Sequence, residues 1–237
     1  MKRILITNDD GIAADGIVRL AEAAVKFGEV WIVAPNSQRS AMSHSITLRD
    51  SFRAWETDFP VPGVRAFACT GTPADCVRIG VLNILPGKPD TVFSGINHGY
   101  NLASDLQYSA TVGAAFEAAF QGVHAVAFSE AAKDIRETAD GYLDSILAEL
   151  IDAPLGENEI YNVNFPGCPL SECRGILRDR TVSSGFIFKD SYDESPAPDG
   201  GTVYTVNGLR QPTAEEGTDL RAVMDRYISV GRARNIS

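Results

Sequence analysis

The sequence predicts an α/β protein with a doubly wound, mostly parallel sheet, and three observations support this fold class. Short apolar runs rich in β-branched residues alternate with amphipathic segments through residues 1–150 of the 237-residue chain. Such alternation is typical of parallel strands joined by crossover helices that cover both faces of a sheet. Hydrophobic residues make up 44% of the chain, which is enough for a substantial core. Polar loops follow several strands, as at the ligand-binding edge of wound sheets.

Strands and helices of the first half are assigned in chain order from hydrophobic periodicity. In residues 16–27, apolar side chains recur at three- and four-residue spacing, which predicts a helix. Residues 73–85 are predicted to be a second helix, with Thr72 as its N-cap and Pro73 at its first position. The full assignment is strands at 3–7, 29–33, 64–69, 91–93 and 123–128, helices at 16–27, 73–85, 111–121 and 137–150, and polar loops at 34–45 and 94–109.

The second half has a different pattern, in which short strand-like runs are separated by turns. These features are strand-like runs at 160–164, 176–182 and 202–206, a turn-rich segment at 192–201, a short helix at 219–226 and a strand at 227–230. A lone hairpin is marginal in water. We therefore expect one domain over residues 1–237, in which residues 151–237 form an extension of hairpins and arms docked on the 1–150 core or on a neighbouring subunit.

Charge and composition exclude several classes of function. The chain has 21 Lys and Arg against 31 Asp and Glu, a net charge of −10, which disfavours a nucleic-acid polymer or an anionic membrane as a partner. No apolar run approaches the ~18 residues of a membrane span, and the short apolar stretch after Arg3 does not fit a signal peptide. We therefore expect a cytoplasmic protein. The four cysteines lack C-x-x-C spacing and are expected to be reduced thiols, with a disulfide as the alternative.

Polar residues cluster after three of the predicted strands. Asp9 and Asp10 follow the first strand, Ser40 lies in the loop after the second, and Asn97 lies in the loop after residues 91–93. Because the carboxyl ends of parallel strands share an edge, we expect these side chains to converge. Their oxygens form a hard ligand set that suits Mg²⁺, Mn²⁺ or Ca²⁺ rather than zinc. The alternatives are a turn that caps the next helix, for the aspartates, and ordinary loop residues, for the other two.

A helix that opens with small residues provides a second candidate site. The predicted helix at 111–121 follows Ser109, and Thr111 is its first residue. A helix N-terminus presents free N–H groups and a positive dipole, so it can bind an anion. A divalent cation beside it would make a phosphate site, and the cation would offset the negative charge of the chain. An ordinary N-cap with close helix packing is the alternative.

Several segments of the chain resemble the SurE family of metal-dependent phosphatases. The matching segments, in order from Ile4 to about Ser129, are ILITNDDGI, APNSQRSAMSHSIT, CTGTPADCV, SGINHGYNL and YSATVGAAFEA, and residues 218–230 resemble the family's C-terminal region. The resemblance implies a Rossmann-like core with a C-terminal extension that joins subunits into homodimers or homotetramers. It also implies 5′-nucleotidase activity on nucleoside monophosphates, with 3′-nucleotidase activity and exopolyphosphatase cleavage of short polyphosphate in some members.

The resemblance also implies roles for individual residues. One divalent ion per subunit, Mg²⁺ or Mn²⁺, would be held by Asp9, Asp10, Ser40 and Asn97. The expected reaction is attack of a metal-activated water on the phosphomonoester, with Asp9 and Asp10 as the catalytic residues. The residues expected to hold the phosphate are Asn97, Asn101, Ser109 and Thr111. The alternatives are a nucleotide-binding module without turnover, an aspartyl-phosphate enzyme and an oligomeric scaffold.

Two alanines depart from the family pattern. Ala110 and Ala103 stand where the family usually has glycine. We expect the Cβ of Ala110 to crowd the phosphate pocket and to oppose a positive φ.

Overall fold

The computed structural model describes residues 1–210 and 213–236, in which thirteen strands and five α-helices are present. The strands are β1 (Lys2–Thr7), β2 (Gly28–Pro35), β3 (Ala54–Thr57), β4 (Arg65–Cys69), β5 (Thr91–His98), β6 (His124–Glu130), β7 (Glu159–Phe165), β8 (Ile176–Arg180), β9 (Phe188–Lys189), β10 (Tyr192–Pro196), β11 (Thr202–Val206), β12 (Leu209–Arg210) and β13 (Ile228–Arg234). The helices are α1 (Asp15–Ala24), α2 (Pro73–Ile79), α3 (Ala110–Phe120), α4 (Glu137–Leu150) and α5 (Asp219–Met224).

A nine-stranded sheet forms the centre of the molecule, in the order β3-β4-β2-β1-β5-β6-β7-β13-β8. Its pairings are parallel except at β3–β4 and β7–β13. The predicted doubly wound, mostly parallel sheet is therefore confirmed. The strand order runs outward in both directions from β1, which places the switch point between β1 and β5, where wound sheets bind their ligands.

Helices cover both faces of this sheet, and each face has its own apolar core. In β1, Ile4 and Ile6 belong to the core that also contains buried residues of α1 and α4. Leu5 points to the opposite face and belongs to the core that contains buried residues of α2 and α3. Alternate side chains of one strand thus enter different cores, as expected for a strand buried on both sides.

The helix boundaries follow local capping. The Thr72 side chain accepts a hydrogen bond from the Asp75 backbone N–H, and the Asp75 carboxylate accepts one from the Thr72 N–H, so the predicted N-cap is confirmed. The predicted helix at 73–85 is α-helical only to Ile79 and continues as a turn of π-helix over Gly80–Ile84. α1 ends at Ala24, three residues before the predicted end, and the polypeptide turns directly into β2.

The prediction that the strand at 91–93 ends before a loop is wrong. β5 continues to His98, with a register shift between Ser94 and Asn97. Asn97 pairs with Ser129 of β6, so the irregular end of this strand still belongs to the sheet. Gly95 is needed here, because its φ is +138° and a Cβ would lie 2.3 Å from a β6 carbonyl oxygen. The polar composition that predicted a loop instead belongs to the carboxyl end of a strand.

The second half of the chain contributes to the sheet more than its turn-rich sequence suggests. β7, β13 and β8 extend the central sheet, whereas β10 and β11 form a separate antiparallel hairpin. The predicted turn-rich segment at 192–201 contains β10, and the chain reverses only after Pro196. Every side chain of β10 and β11 is exposed. The edge strand β3, which the sequence did not predict, is also mostly exposed and therefore carries little apolar signal.

Among the described residues, no helix combines the length and apolar character needed to cross a membrane. All four cysteines are free thiols, in line with the expectation from their spacing. Cys69 at the end of β4 and Cys76 on α2 contact each other through their side chains.

Candidate active site

Asp9 lies at the switch point and connects three elements. Its side chain follows β1 and is 3% exposed. The Thr111 hydroxyl, in the first turn of α3, donates to Asp9 Oδ1 at 2.6 Å. The backbone N–H of Arg39 donates to the Asp9 carbonyl oxygen at 2.6 Å, which holds the loop after β2 against the end of β1. The end of β1, the loop after β2 and the N-terminus of α3 therefore lie together.

Asp10 and Asn97 lie at the ends of neighbouring strands. The His98 backbone N–H donates to Asp10 Oδ2 at 3.0 Å, which ties Asp10 to the end of β5. The Gln38 side chain lies 3.5 Å from the other Asp10 oxygen. The Asn97 amide donates through Nδ2 to the Gly99 carbonyl at 2.9 Å, so its Oδ1 lies at the opposite end of the amide group. Both side chains are only partly buried and can be reached by a ligand.

Ser40 lies on an exposed part of the loop that follows β2. Beyond the Arg39 bond, the loop is anchored by Ser43, whose N–H and hydroxyl donate to the carbonyls of Tyr108 and Gln107 at 3.0 and 2.7 Å. The loop also packs against α3 at Gly113, where a Cβ would lie 2.4 Å from the Ser43 carbonyl oxygen. A side chain at position 113 would therefore push the Ser40 loop away from the helix.

The hydroxyls predicted to hold phosphate have protein partners in this structure. Ser109 is the N-cap of α3, and its Oγ accepts from the Val112 N–H at 3.1 Å. Thr111 is fully buried and donates to Asp9. The structure thus brings Ser109 and Thr111 to the same helix N-terminus as Asp9, with Ser109 as an ordinary cap and Thr111 as the residue that orients a carboxylate.

Asn101 belongs to a buried network that the sequence analysis did not identify. Its Nδ2 donates to the Ser129 hydroxyl at 2.7 Å, and its backbone N–H donates to Asn164 Oδ1 at 2.9 Å. Asn162 and Asn164 both donate to the Asn101 carbonyl oxygen. These bonds join the loop after β5 to β6 and β7, but none of them reaches Asp9 or Asp10. The sequence does contain a sign of this network, because the strand Glu159–Phe165 has asparagines at alternate positions among apolar residues. Buried asparagine side chains need hydrogen-bond partners.

The structure changes the expectation for the two alanines. Ala110 is the first residue of α3 and does not have a positive φ, so the predicted conflict with backbone conformation is wrong at this position. Ala103 has φ of 51°, a left-handed conformation that favours glycine. The Ala103 N–H donates to Asp219 Oδ2 at 3.1 Å, which helps to hold this conformation.

The electrostatics of the site call for a cation. Burial raises the pKa of Asp9 to about 6, the Thr111 hydrogen bond opposes this rise, and the neighbouring Asp10 charge adds to it. In the described part of the chain, neither aspartate forms an ion pair with a basic side chain. Two adjacent carboxylates without a basic partner are therefore suited to a metal ion.

Unpartnered polar atoms lie beside these carboxylates. Within residues 1–210 and 213–236, Thr7 Oγ1, Asn8 Oδ1 and Ser94 Oγ are buried without a hydrogen-bond partner. Thr7 and Ser94 are register partners at the carboxyl ends of β1 and β5. Buried polar groups normally have partners, so water or a ligand is expected beside them.

A further acidic residue lies beside the site and was missed from the sequence. Glu130, the last residue of β6, is 6% exposed and pairs with Arg19 of α1 at 2.8 Å. Burial raises the Glu130 pKa to about 7, although the Arg19 charge opposes the rise. The Glu130 carbonyl accepts from the Gly99 N–H at 3.0 Å. Glu130 therefore supports the loop after β5.

The donor set available to a metal consists of carboxylates with neutral oxygens. No group of three or more His, Cys, Asp and Glu side chains suitable for a metal ion occurs in the part of the chain that the structure describes. A site at Asp9 and Asp10 would therefore need neutral oxygens such as those of Ser40 and Asn97. That composition fits a hard cation and not zinc.

Comparison with known proteins identifies the family. The model of a family described as "Survival protein SurE" matches residues 4–185. The chain belongs to the SurE family. The resemblance stated from the sequence segments is therefore confirmed, and the match includes Asp9, Asp10, Ser40 and Asn97.

Relatives and a solved structure agree with this membership. A Brucella canis protein named 5′-nucleotidase SurE is 38% identical, over 96% of this chain and 90% of its own length. A Mesorhizobium japonicum protein of the same name is 36% identical, over 96% of this chain and 91% of its own length. The crystal structure of the SurE protein from Aquifex aeolicus is 32% identical and superposes with a TM-score of 0.83, covering 99% of this chain and 94% of that one.

Proposed function

We propose that this SurE-family protein is a phosphoric monoester hydrolase that acts on nucleoside 5′-monophosphates. The observation that carries the proposal is the Asp9–Thr111 contact at the switch point, which places a buried carboxylate without a basic partner beside a helix N-terminus. A cation at the carboxylate and N–H groups at the helix are the two requirements for binding a phosphate. Relatives 36–38% identical over nearly the whole chain are named 5′-nucleotidases, which supports the choice of substrate.

One Mg²⁺ or Mn²⁺ ion per subunit is proposed to bind Asp9, Asp10, Ser40 and Asn97. These residues fit it because the two carboxylates have no basic partner among the described residues, and because Thr7, Asn8 and Ser94 leave buried polar atoms unsatisfied nearby. When bound, a divalent ion supplies positive charge that stabilises a phosphoryl-transfer transition state and lowers the pKa of water.

The chain's own residues are proposed to orient the reactants. The Thr111 hydroxyl orients the Asp9 carboxylate by donating to its Oδ1. Asp10 is held through one oxygen by the His98 N–H. We assign the orientation of the attacking water to this pair of carboxylates. The Asn97 amide and the N-terminus of α3, capped by Ser109, contact the phosphate, and Asn101 supports the phosphate side of the loop after β5 through its bonds to β6 and β7.

The C-terminal extension is proposed to join subunits into a homodimer or a homotetramer. The hairpin β10–β11 supports this assignment because its side chains are exposed, including the large apolar or aromatic residues Tyr192, Val203, Tyr204 and Val206. Exposed side chains of this size on a protruding hairpin are typical of a surface that another subunit covers.

Phosphate release from a panel of nucleoside monophosphates tests the proposed function. We expect release with Mg²⁺ or Mn²⁺, loss of release in EDTA, and a decrease of at least about a hundredfold in kcat for Asp10→Asn. The matched control is Asp152→Asn, which changes an exposed aspartate bonded to Lys2 far along the chain from the site. Binding of nucleotide without turnover under any metal would instead support a non-catalytic nucleotide-binding module.

A further inference from the structure

A buried ion pair links α1 to the end of β6. The Arg19 guanidinium donates through Nη2 to Glu130 Oε2 at 2.8 Å, and its Nη1 lies 3.2 Å from each of the two carboxylate oxygens. The two side chains are only 13% and 7% exposed. Removing both charges from water is costly, and an apolar pair of similar volume is often at least as stable. Folding stability alone therefore does not explain this pair.

The Glu130 end of the pair is connected to two of the proposed metal ligands. Glu130 is the register partner of His98 between β6 and β5, and the His98 N–H donates to Asp10 Oδ2 at 3.0 Å. The Glu130 carbonyl accepts from the Gly99 N–H at 3.0 Å, and the Gly99 carbonyl accepts from the Asn97 amide at 2.9 Å. The positions of Asp10 and Asn97 thus both depend on the backbone at Glu130.

The Arg19 end of the pair is connected to the same two ligands through α1. This helix begins at Asp15, shortly after Asp10, and Arg19 lies one turn into it. The first turn packs directly on β5, because a Cβ at Gly16 would lie 2.0 Å from the Ile96 carbonyl oxygen, next to Asn97. The contacts therefore form a closed circuit, which runs from β1 to β5 and β6, across the ion pair to α1, and back along the chain to β1.

The Arg19 guanidinium is also held on its other side. Its Nε lies 3.3 Å from an Asp15 oxygen and 3.4 Å from an Asp140 oxygen of α4. Arg136, the N-cap of α4, pairs with the same Asp15 oxygen at 2.8 Å. Carboxylates from α1, α4 and β6 thus surround one planar group. The ammonium of a lysine has no such fork and could not hold all of them in this arrangement.

We propose that Arg19 and Glu130 are positioning residues for the metal site, whose ion pair closes the circuit and thereby sets the spacing between Asp10 and Asn97. Neither side chain contacts the metal in this assignment. The inference rests on the proposed function, because it concerns the metal site of that function, and it adds two residues that lie outside the ligand set. Partners behind metal ligands typically affect metal affinity tenfold or more.

An apolar replacement of the whole pair separates positioning from folding. Arg19→Met alone leaves Glu130 buried without a partner, so we expect it to lower the melting temperature. Adding Glu130→Leu removes the unpaired charge, and we expect the double variant to melt within about 3 °C of wild type in EDTA. Its net charge equals that of wild type. Calorimetric titration with Mn²⁺ alone should nevertheless show a dissociation constant about tenfold above that of wild type.

Two further proteins complete the comparison. Arg19→Lys keeps the charge but not the fork, and it should restore part of the affinity, with a dissociation constant about threefold above that of wild type. The matched control is Arg178→Met with Glu149→Leu, which removes a two-point ion pair between β8 and α4. That pair has no connection to Asp10 or Asn97, so Mn²⁺ affinity should stay unchanged.

The outcomes separate this inference from the function on which it rests. A double variant that melts like wild type and binds Mn²⁺ equally well would limit the pair to a structural role, and the nucleotidase function would stand. If the double variant does not melt cooperatively, Arg19→Lys decides, and unchanged Mn²⁺ affinity overturns the inference. A wild-type protein that binds no Mn²⁺ also overturns it. If Mn²⁺ binding weakens as expected but wild type hydrolyses no nucleoside monophosphate, the inference holds and the proposed function fails.

Discussion

At the scale of single residues, Asp9 shows how a site that needs a cation costs stability when the cation is absent. Burial raises its pKa from 3.8 to about 6, so the folded state holds the proton more tightly than the unfolded chain does. Stability therefore falls as pH rises from 3.8 to about 6, and the penalty is fully present above that window. The shift corresponds to a penalty on the order of 3 kcal/mol.

Replacing this carboxyl should stabilise the metal-free protein and abolish its activity. For Asp9→Asn in EDTA, we expect a higher melting temperature than wild type at pH 7 and little difference at pH 4, because the variant does not ionise. Thermal melts across this pH range provide the measurement. Glu130 also titrates with a raised pKa, but it is present in both proteins and cancels in the comparison. A difference that is the same at both pH values would contradict the assignment of the penalty to Asp9.

Ala103 and Ala110 provide a matched pair of substitutions with opposite expected signs. Ala103→Gly should stabilise the protein by about 1 kcal/mol, because φ of 51° is strained for alanine. Ala110→Gly should destabilise it by about 0.5 kcal/mol, because Ala110 is helical and fully buried. The midpoints of urea denaturation give both values. Equal effects of the two substitutions would show that backbone conformation does not govern these positions.

At the scale of elements, the loop that carries Ser40 is held by side chains of two helices. Glu117 of α3 is 3% exposed and accepts from His44 at 2.9 Å, from Gln121 at 2.8 Å and from Arg78 of α2 at 3.2 Å. His44 belongs to the same loop as Ser40. The Glu117 carboxylate therefore anchors the loop from a position remote from the metal ligands.

Removing this anchor should weaken metal binding more than it weakens folding. We expect Glu117→Ala to raise the dissociation constant for Mn²⁺ about tenfold, since the loop that positions Ser40 would lose its contact with α3. Calorimetric titration of Mn²⁺ measures this directly, without substrate. The matched control is Glu149→Ala, which removes the surface carboxylate bonded to Arg178 and should not change Mn²⁺ affinity. Similar Mn²⁺ affinity in both variants would limit Glu117 to a structural role.

Several elements could be predicted from the sequence because their signals are local. The observed bounds of α4 and β11 agree with those predicted from hydrophobic periodicity and flanking turn residues. The N-cap at Thr72 could be predicted from the residue type alone. β3 and the irregular end of β5 could not be predicted in this way. The former is held mainly by pairing with β4 at an exposed edge, and the latter by pairing of Asn97 with β6.

The candidate site residues could be predicted because the carboxyl ends of neighbouring parallel strands lie at one edge of the sheet. Asp9 and Asp10 follow β1, Ser40 lies in the loop after β2, and Asn97 lies near the end of β5. The parallel topology places the carboxyl ends of these strands at one edge of the sheet. The role of Thr111 as a donor to Asp9 depends on a contact between residues 102 positions apart, and no local pattern indicates it.

At the scale of the whole molecule, the exposed hairpin β10–β11 lies outside the central sheet and its apolar cores. Among the described residues, its two strands pair only with each other. At the base of the hairpin, the Asn207 N–H donates a hydrogen bond to the Ser191 carbonyl at 2.7 Å. The sheet and both apolar cores are built from other segments. The hairpin can therefore be removed at a point where the two ends of the chain already meet.

Deleting residues 192–206 and joining the ends through two glycines should leave a folded chain of lower oligomeric state. We expect the circular dichroism spectrum and cooperative melting to persist, because no core residue is lost. Sedimentation velocity of the deletion variant and of the wild-type protein, at equal concentration, gives the mass of each. A wild-type protein that sediments as a monomer, or a deletion variant of unchanged oligomeric mass, would contradict the proposed role of the hairpin.

The position of β13 has a consequence for synthesis on the ribosome. This strand lies between β7 and β8, although it follows both in the chain, and it is antiparallel to one and parallel to the other. While the nascent polypeptide emerges, β7 is left with an unpaired edge, and β8 has no neighbour in the sheet until β13 is translated. An unpaired edge of this kind can accept a strand from another chain. The interval before β13 emerges is therefore when the edge of β7 is open to pairing with another chain.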